Sequence, residues 1–252
     1  MSPAPDAASY VFCLVQSARP PSLRGVPDSV PGAGAPRLLR VDADIWAVVA
    51  DAPLDRFSGD RLENELQDIE AISRHAVAHA SVIEFFFRRA PVIPLKMFTL
   101  FSADEKAREH LLGRRARLRK LFGELRGLEE WGVRIIAGEV VAEGARSLKS
   151  GRDYLQIKKN LKDQAAAPPR ATVREAKNAL KSLTVIASKV LPEAFPPPGR
   201  GRPFVTGASV LVKTTRRDRW RKEVARLTRA LAQHGHLLEV SGPWPPYHFV
   251  SK

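Results

Sequence analysis

The first part of the chain carries three short apolar runs that are typical of β-strands. Residues 10–15 and 45–50 are rich in β-branched and aromatic side chains, and residues 37–41 add Leu38, Leu39 and Val41. Two acidic residues, Asp42 and Asp44, lie in the short gap between the second and third runs. This spacing predicts a hairpin. Five prolines between residues 17 and 37 predict a long surface loop after the first strand.

The pattern then changes to that of a long helix. Ser58 and Asp60 are candidate caps at its start. The prolines at positions 91 and 94 end it, because proline lacks an N–H donor and restricts the residue before it. Apolar side chains recur at spacings of three and four, which predicts one continuous core-facing stripe made of Leu62, Leu66, Ile69, Ile72, Ala76, Ala80, Ile83 and Phe87.

An extended segment and a second long helix are predicted to follow. Residues 96–101 are largely apolar and favour an extended, buried conformation. Ser102 and Glu105 have the spacing of a capping box, so we expect the next helix to begin there and to run to about residue 125.

Gly127 marks a predicted seam between two units. After it the chain has the order strand, helix pair, strand, helix, strand, which fits a ferredoxin-like split βαβ plan with one strand missing or moved. The segments are a strand over 133–141, helices over 154–162 and 173–191, a strand over 204–212, a helix over 220–231 and a strand over 237–240.

These patterns predict an α+β protein of two domains. The N-terminal domain, residues 1–127, combines mixed strands with long helices. The C-terminal domain, residues 128–241, is ferredoxin-like, and residues 242–252 form an extended tail rich in proline and aromatic residues. A length of 252 residues agrees with two small domains.

Charge narrows the class of partner. The chain has 41 Lys and Arg against 27 Asp and Glu, a formal charge of +14, which favours an acidic partner. Two basic clusters, at 114–120 and 213–222, make a nucleic-acid-binding protein the alternative function. Trp220 is the only aromatic residue within them, which argues against a platform for stacking single strands. A membrane-surface role for the helix near 213–234 is weaker, because its apolar stripe is narrow.

The start of the chain lacks the basic and apolar regions of a signal peptide, and no stretch is long and apolar enough to span a bilayer. We therefore expect a cytoplasmic location.

Candidate catalytic chemistry is sparse. His75 and His79 share a helix face at a spacing that could chelate a metal, but Ala76 stands where a metalloprotease helix has glutamate. Packing of these histidines against strands is the favoured interpretation, and Cys13 fits a buried apolar position in a strand. No nucleophile, dinucleotide or Walker motif is present. We expect no enzyme activity, no cofactor and no metal.

The C-terminal sequence GPWPPYHF is the most unusual in the chain. Prolines alternate with large aromatic residues, so the segment is stiff and loses little entropy on docking. It either contacts a partner or folds back over its own domain. The candidate partner-binding residues are Gly242, Pro243, Trp244, Pro245, Pro246, Tyr247 and Phe249.

Several motifs in their order resemble the gas vesicle protein L/F family. They are YVFCLV, DIWAVVADAPLDRF, RHAVAHASVIEFFFRRAPVIPLKMFTLFSADE, EEWGVRI, GRDYLQIKK and the terminal GPWPPYHF. The resemblance covers most of the chain, except the loop 17–37 and residues 163–202. At Lys96, Met97 and Phe98 this chain departs from the arginine, phenylalanine and glycine of the family pattern.

The resemblance implies a non-enzymatic accessory protein with two α+β domains, the second related to the ferredoxin plan. It implies binding of the small, hydrophobic shell-forming protein and help in the nucleation and assembly of gas vesicles, which give buoyancy. The implied partners are the shell protein and other gas vesicle accessory proteins, with no specific nucleic acid and no membrane. The implied location is the cytoplasm and the gas vesicle.

Overall fold

The computed structural model describes residues 7–137, 170–192 and 204–250. The chain divides into two compact units. Unit 1 comprises Met1–Gly127 together with Trp244–Lys252, and unit 2 comprises Leu128–Pro243. Antiparallel strand pairs and helices in both units confirm the α+β class. The predicted helix over 154–162 and the end of the strand predicted over 133–141 lie outside the described residues.

Unit 1 contains a five-stranded sheet. β1 lies between β3 and β4 and also pairs with β5, whereas β2 pairs with β3 at the edge. The predicted hairpin is confirmed, because β2 pairs with β3 across the turn that holds Asp42 and Asp44. The strands are β1 Ala7–Gln16, β2 Arg37–Arg40, β3 Ile45–Pro53, β4 Val92–Pro94 and β5 Leu100–Phe101.

The helices of unit 1 are shorter than the sequence pattern predicts. They are α1 Leu54–Phe57, α2 Gly59–Gln67, α3 Ile69–Phe87, α4 Asp104–Gly113 and α5 Arg115–Leu125.

Asp68 separates α2 from α3. It has an extended backbone, and its side chain accepts a hydrogen bond from the N–H of Glu70, which makes it the N-cap of α3. Ser58, one of the two predicted caps, does occupy the N-cap of α2, but its side chain makes no cap bond there.

The capping box expected at Ser102 and Glu105 is also wrong. Ala103 occupies the N-cap of α4, which has no side-chain cap bond. The helix expected to reach residue 125 is interrupted at Arg114, where α4 ends and α5 begins.

The sheet of unit 1 has a core on each face. Tyr10 of β1 packs in the core that contains α3, whereas Val11 and Leu14 pack in the core with α4 and α5. A register irregularity between Val11 and Cys13 places Cys13 in the same core as Tyr10. Because β1 is buried on both faces, its sequence is a nearly continuous apolar run.

Only Leu100 and Phe101 of the segment expected to be extended form a strand. Residues 96–99 form a turn in which the N–H of Thr99 bonds to the carbonyl oxygen of Lys96. Phe98 adopts a φ of 61° in this turn, a conformation that favours glycine. Its N–H donates to the Tyr10 hydroxyl at 3.2 Å, which ties the turn to β1.

Unit 2 has the strand–helix–strand–strand–helix–strand order of the ferredoxin-like plan among its described residues. The sheet order is β7-β8-β6-β9. The elements are β6 Leu128–Ala137, α6 Arg170–Thr184, β7 Lys189–Pro192, β8 Phe204–Lys213, α7 Arg217–Gln233 and β9 His236–Trp244.

The strand that was missing from the ferredoxin-like order predicted from the sequence is β7. The helical stripe expected to continue to residue 191 ends at Thr184, and Leu191 lies in β7 instead. Val190 and Leu191 are the only aliphatic residues of β7, which is too few to distinguish a strand period from a helix period.

The core of unit 2 lies between one face of the sheet and the two helices. Leu183 comes from α6, Trp220 and Leu227 come from α7, and Val133 and Val210 come from the central strands. The Trp131 and Trp220 rings lie 6.0 Å apart. The helical stripe predicted for α7 is therefore confirmed.

Candidate interaction surfaces

The two histidines of α3 are packed against the sheet of unit 1. His79 Nε2 lies 3.1 Å from the Leu95 carbonyl oxygen, and its Nδ1 lies 2.8 Å from the Tyr10 hydroxyl. A carbonyl oxygen only accepts, so Nε2 carries the proton and Nδ1 accepts from Tyr10. Burial raises the pKa of Tyr10 to about 12, despite the Phe98 N–H, so this hydroxyl retains its proton.

No metal cluster is formed around the histidines. His75 Nε2 lies 3.1 Å from Glu65 Oε2, and both ring nitrogens of His79 already have partners. Over residues 7–137, 170–192 and 204–250, no group of three or more His, Cys, Asp or Glu side chains could hold a metal ion. His75 and His79 are therefore arranged as packed side chains of unit 1.

Stability should depend on the neutral state of His79. Burial lowers the pKa of His79 below its usual 6.5, although the Leu95 carbonyl opposes the effect. The unfolded chain therefore takes up a proton near pH 6.5 while the folded chain resists it, so stability is lost as the pH falls below that value. We expect the unfolding free energy of wild type to fall more steeply from pH 7 to pH 5 than that of His79→Leu, as measured by urea denaturation. Equal slopes would contradict this assignment.

The terminal motif is anchored by most of its residues. Pro245, Pro246 and Phe249 are buried, and Tyr247 packs against the core that contains α3. Pro243, Trp244 and His248 are exposed, and Trp244, at 39%, is the large aromatic residue among them. Residues 245–249 are therefore held mainly by burial, and the motif presents one large aromatic side chain to solvent.

Gly242 and Pro243 group with unit 2, unlike the rest of the predicted tail. Gly242 has a φ of 125°, and a Cβ there would lie 2.8 Å from the Glu130 carbonyl oxygen. Only glycine fits this position without displacement of the β6 backbone.

α3 carries a second apolar face that is not buried. Ile69 is 81% exposed and Val77 is 67% exposed, and Ala76 is also exposed. Ile72 and Ala80, half-buried, lie beside them. We call these five residues the outer face of α3.

The predicted core stripe of the long helix is right at Ile83, which is buried, and at Phe87, which packs against the same core, but it is wrong at Ile69 and Ala76, which are exposed. The stripe that packs on the sheet is rotated around the helix and includes, besides Ile83, the residues Ala71, His75, His79, Val82 and Phe86. Two of its members are histidines, which a hydrophobic pattern does not count. The sequence did carry a sign of this ambiguity: α3 is apolar on two faces, whereas an amphipathic helix needs only one apolar face.

Two cations of the basic clusters, Arg119 and Arg217, are engaged in ion pairs that connect parts of the fold. Arg119 bonds to Asp42 at 2.7 Å and to Asp44 at 3.0 Å, and its hydrogen bond lowers the pKa of Asp42. Arg217 makes three contacts of 2.6–3.1 Å with the buried Glu129. The clusters therefore offer fewer free cations than their sequence indicates.

None of the described helices is both long enough and apolar enough to cross a membrane.

The family model described as gas vesicle synthesis protein GvpL/GvpF matches residues 8–251. The chain belongs to the GvpL/GvpF family. Gas vesicle protein L of Streptomyces sp. (strain CB03234) is 28% identical over 259 residues, which cover 97% of this chain and 93% of that protein. The resemblance seen in the motifs is therefore confirmed.

Two crystal structures of GvpF proteins share the fold of this GvpL/GvpF chain. GvpF from Anabaena sp. PCC7120 has a TM-score of 0.70 at 14% identity and covers 98% of this chain and 97% of its own. GvpF from Microcystis aeruginosa has a TM-score of 0.65 at 13% identity, with coverages of 97% and 99%. As a GvpL/GvpF protein, the chain has an accessory role in gas vesicle formation.

Proposed function

We propose that this chain binds the small hydrophobic gas vesicle shell protein in the cytoplasm and assists the nucleation and assembly of the vesicle, without catalysis. A subunit that assembles into β-rich ribs exposes apolar surface and unpaired strand edges beforehand, which is an aggregation hazard. A partner that covers this surface would suppress aggregation. The single observation that supports the proposal is the exposed outer face of α3 in a GvpL/GvpF chain.

The chemistry of the outer face suits an apolar partner. Ala76 and Ala80 are small and allow close approach of another backbone, while Ile69 and Val77 provide apolar area. The rim is polar, because α3 also carries ion pairs between Glu70 and Arg74 at 3.1 Å and between Glu84 and Arg88 at 3.4 Å. An apolar centre within a polar rim is typical of protein interfaces.

We propose the terminal motif, Gly242–Phe249, as a second contact that acts through Trp244. Its buried members hold the backbone, so the exposed indole is presented with little freedom to lose on binding. Tryptophan is the residue type most enriched at binding hot spots.

Co-expression with the shell protein, followed by affinity capture of this chain at moderate salt, tests the proposal. We expect the shell subunit to co-purify. Capture of nucleic acid without shell subunit, with binding that falls steeply as salt rises, would support the basic-surface alternative instead.

A double variant tests the outer face directly. Ile69→Asp with Val77→Asp places two charges in the proposed interface, and we expect the captured shell subunit to fall at least about tenfold. The matched control is Leu112→Asp with Leu237→Asp, which adds the same charge at exposed apolar positions elsewhere. Circular dichroism should show that both variants fold, because surface substitutions usually change stability by only about 0.5 kcal/mol. Equal capture by the two variants would refute this role of α3.

Trp244→Ala tests the second contact in the same capture. We expect a loss of about 1–2 kcal/mol of binding free energy, close to tenfold, with unchanged folding. His248→Ala is the control, because it removes an exposed neighbouring side chain. Full capture by Trp244→Ala would exclude the terminal motif as a contact.

A further inference from the structure

Unit 2 has a groove between the C-terminal end of α6 and one flank of α7. It encloses about 400 Å³, which falls within the usual range of ligand and peptide pockets. Val185 and Ile186 form its apolar wall on the α6 side, and the opposite wall is formed by four residues of α7, Arg219, Lys222, Glu223 and Arg226. We call it the α6–α7 groove.

The apolar wall of the groove faces solvent. Val185 follows the last residue of α6 and is 74% exposed, whereas Ile186 beside it is buried in the core of unit 2. An apolar side chain of a partner that packed on Val185 would remove both surfaces from water.

The opposite wall is cationic. Arg219 and Lys222 are exposed, and within the described part of the chain neither makes an ion pair. Glu223 does not neutralise them, because Arg226 holds its carboxylate with bonds of 2.6 and 2.9 Å. That hydrogen bond, followed by the charges of Arg226 and Arg219, keeps the pKa of Glu223 low.

We propose that the α6–α7 groove binds an acidic amphipathic peptide segment of a protein partner. The carboxylates of the segment pair with Arg219 and Lys222, and an apolar side chain packs on Val185. Charge complementarity selects the acidic segment, and the apolar wall selects a peptide over a phosphate backbone, which has no apolar group to place there. The site is independent of the shell-binding proposal, because its residues and its chemistry differ from those of the outer face of α3.

Fluorescence anisotropy on the full chain tests the proposal. The probe is a labelled helical peptide with leucine along one face and glutamate on the flanks, and the comparison probes are the same peptide with serine in place of leucine and a labelled duplex oligonucleotide. Arg219→Glu with Lys222→Glu reverses the groove charge. Arg216→Glu with Arg221→Glu is the matched control, since both residues are exposed, close in the chain and outside the groove lining.

We expect the leucine peptide to bind wild type. Its affinity should fall roughly tenfold in Arg219→Glu with Lys222→Glu, and the control double variant should show a clearly smaller reduction. Val185→Asp should weaken peptide binding in the same assay and leave capture of the shell subunit unchanged. This difference separates the two proposals. Equal losses in both double variants, equal binding of the serine peptide or no peptide binding would overturn the proposal. Binding of the oligonucleotide through Arg219 and Lys222 without peptide binding would also overturn it.

Discussion

Arg37→Met is expected to lower the free energy of unfolding by about 3 kcal/mol at neutral pH. Arg37 of β2 holds both oxygens of Asp104 at 2.6 and 3.0 Å and also bonds to Asp51 at 2.6 Å. The Asp104 side chain is only 3% exposed, so loss of its cation leaves a buried carboxylate whose remaining hydrogen-bond partner among the described residues is the Ser9 hydroxyl at 2.6 Å. An unpaired charge inside a protein costs far more than an exposed ion pair contributes.

Acidic pH should reduce the difference in unfolding free energy between Arg37→Met and wild type. Burial opposes ionisation of Asp104, but the hydrogen bonds from Arg37 and Ser9 outweigh it and lower the pKa of Asp104. A carboxylate with a lowered pKa contributes stability above its unfolded value near 4, and this contribution is lost as the pH falls through the folded value. In the variant Asp104 can protonate, so the two curves should converge below about pH 4.

Urea denaturation of Arg37→Met and Arg74→Met at several pH values measures this effect. Arg74 pairs with Glu70 on the surface, with both side chains more than half exposed, so its replacement should cost less than about 0.5 kcal/mol. Equal losses in the two variants would show that the buried pair does not matter for stability.

Gly242→Ala is expected to destabilise unit 2 by about 3 kcal/mol, from unfavourable backbone conformation and overpacking together. A Cβ at Gly242 would lie 2.8 Å from the Glu130 carbonyl oxygen and 3.2 Å from the Trp131 ring. The oxygen belongs to the backbone of β6, so no side-chain rotation can relieve the contact. The φ of 125° adds strain for any residue with a Cβ.

Gly235→Ala separates the two causes. Gly235 also has a positive φ, 74°, but a Cβ there has no atom within 4 Å. We expect it to cost only about 1 kcal/mol in thermal or urea unfolding, clearly less than Gly242→Ala. If the two variants lose the same stability, the close approach to β6 is not the reason for glycine at position 242.

The sequence pattern predicted best where one face of an element is apolar and the other polar. The helix around Trp220, Leu227 and Leu231 follows such a pattern and is confirmed. The hairpin at Asp42 and Asp44 is also confirmed, but its sign was a short acidic gap between two apolar runs, because β3 is buried on both faces. The strand β7 was missed because a run of four residues has no resolvable period.

The orientation of α3 could not be predicted because the helix has two apolar faces. Hydrophobic spacing favoured Ile69, Ala76 and Ala80, whereas tertiary contacts with Tyr10 and Leu95 placed His79 inward. Hydrogen bonds across the fold made a polar side chain suitable for the core, and no local pattern encodes them. Ile69, Ile72, Ala76 and Ala80 were therefore recognised as members of an apolar stripe, but they were assigned to the core instead of to the outer face of α3.

The most direct test of the account measures shell subunit in the supernatant after centrifugation, with increasing amounts of this chain added to freshly diluted subunit. We predict that wild type keeps the subunit in the supernatant in proportion to the chain added, and that Ile69→Asp with Val77→Asp does so far less. Sedimentation of the subunit regardless of the wild-type chain would contradict the proposed function.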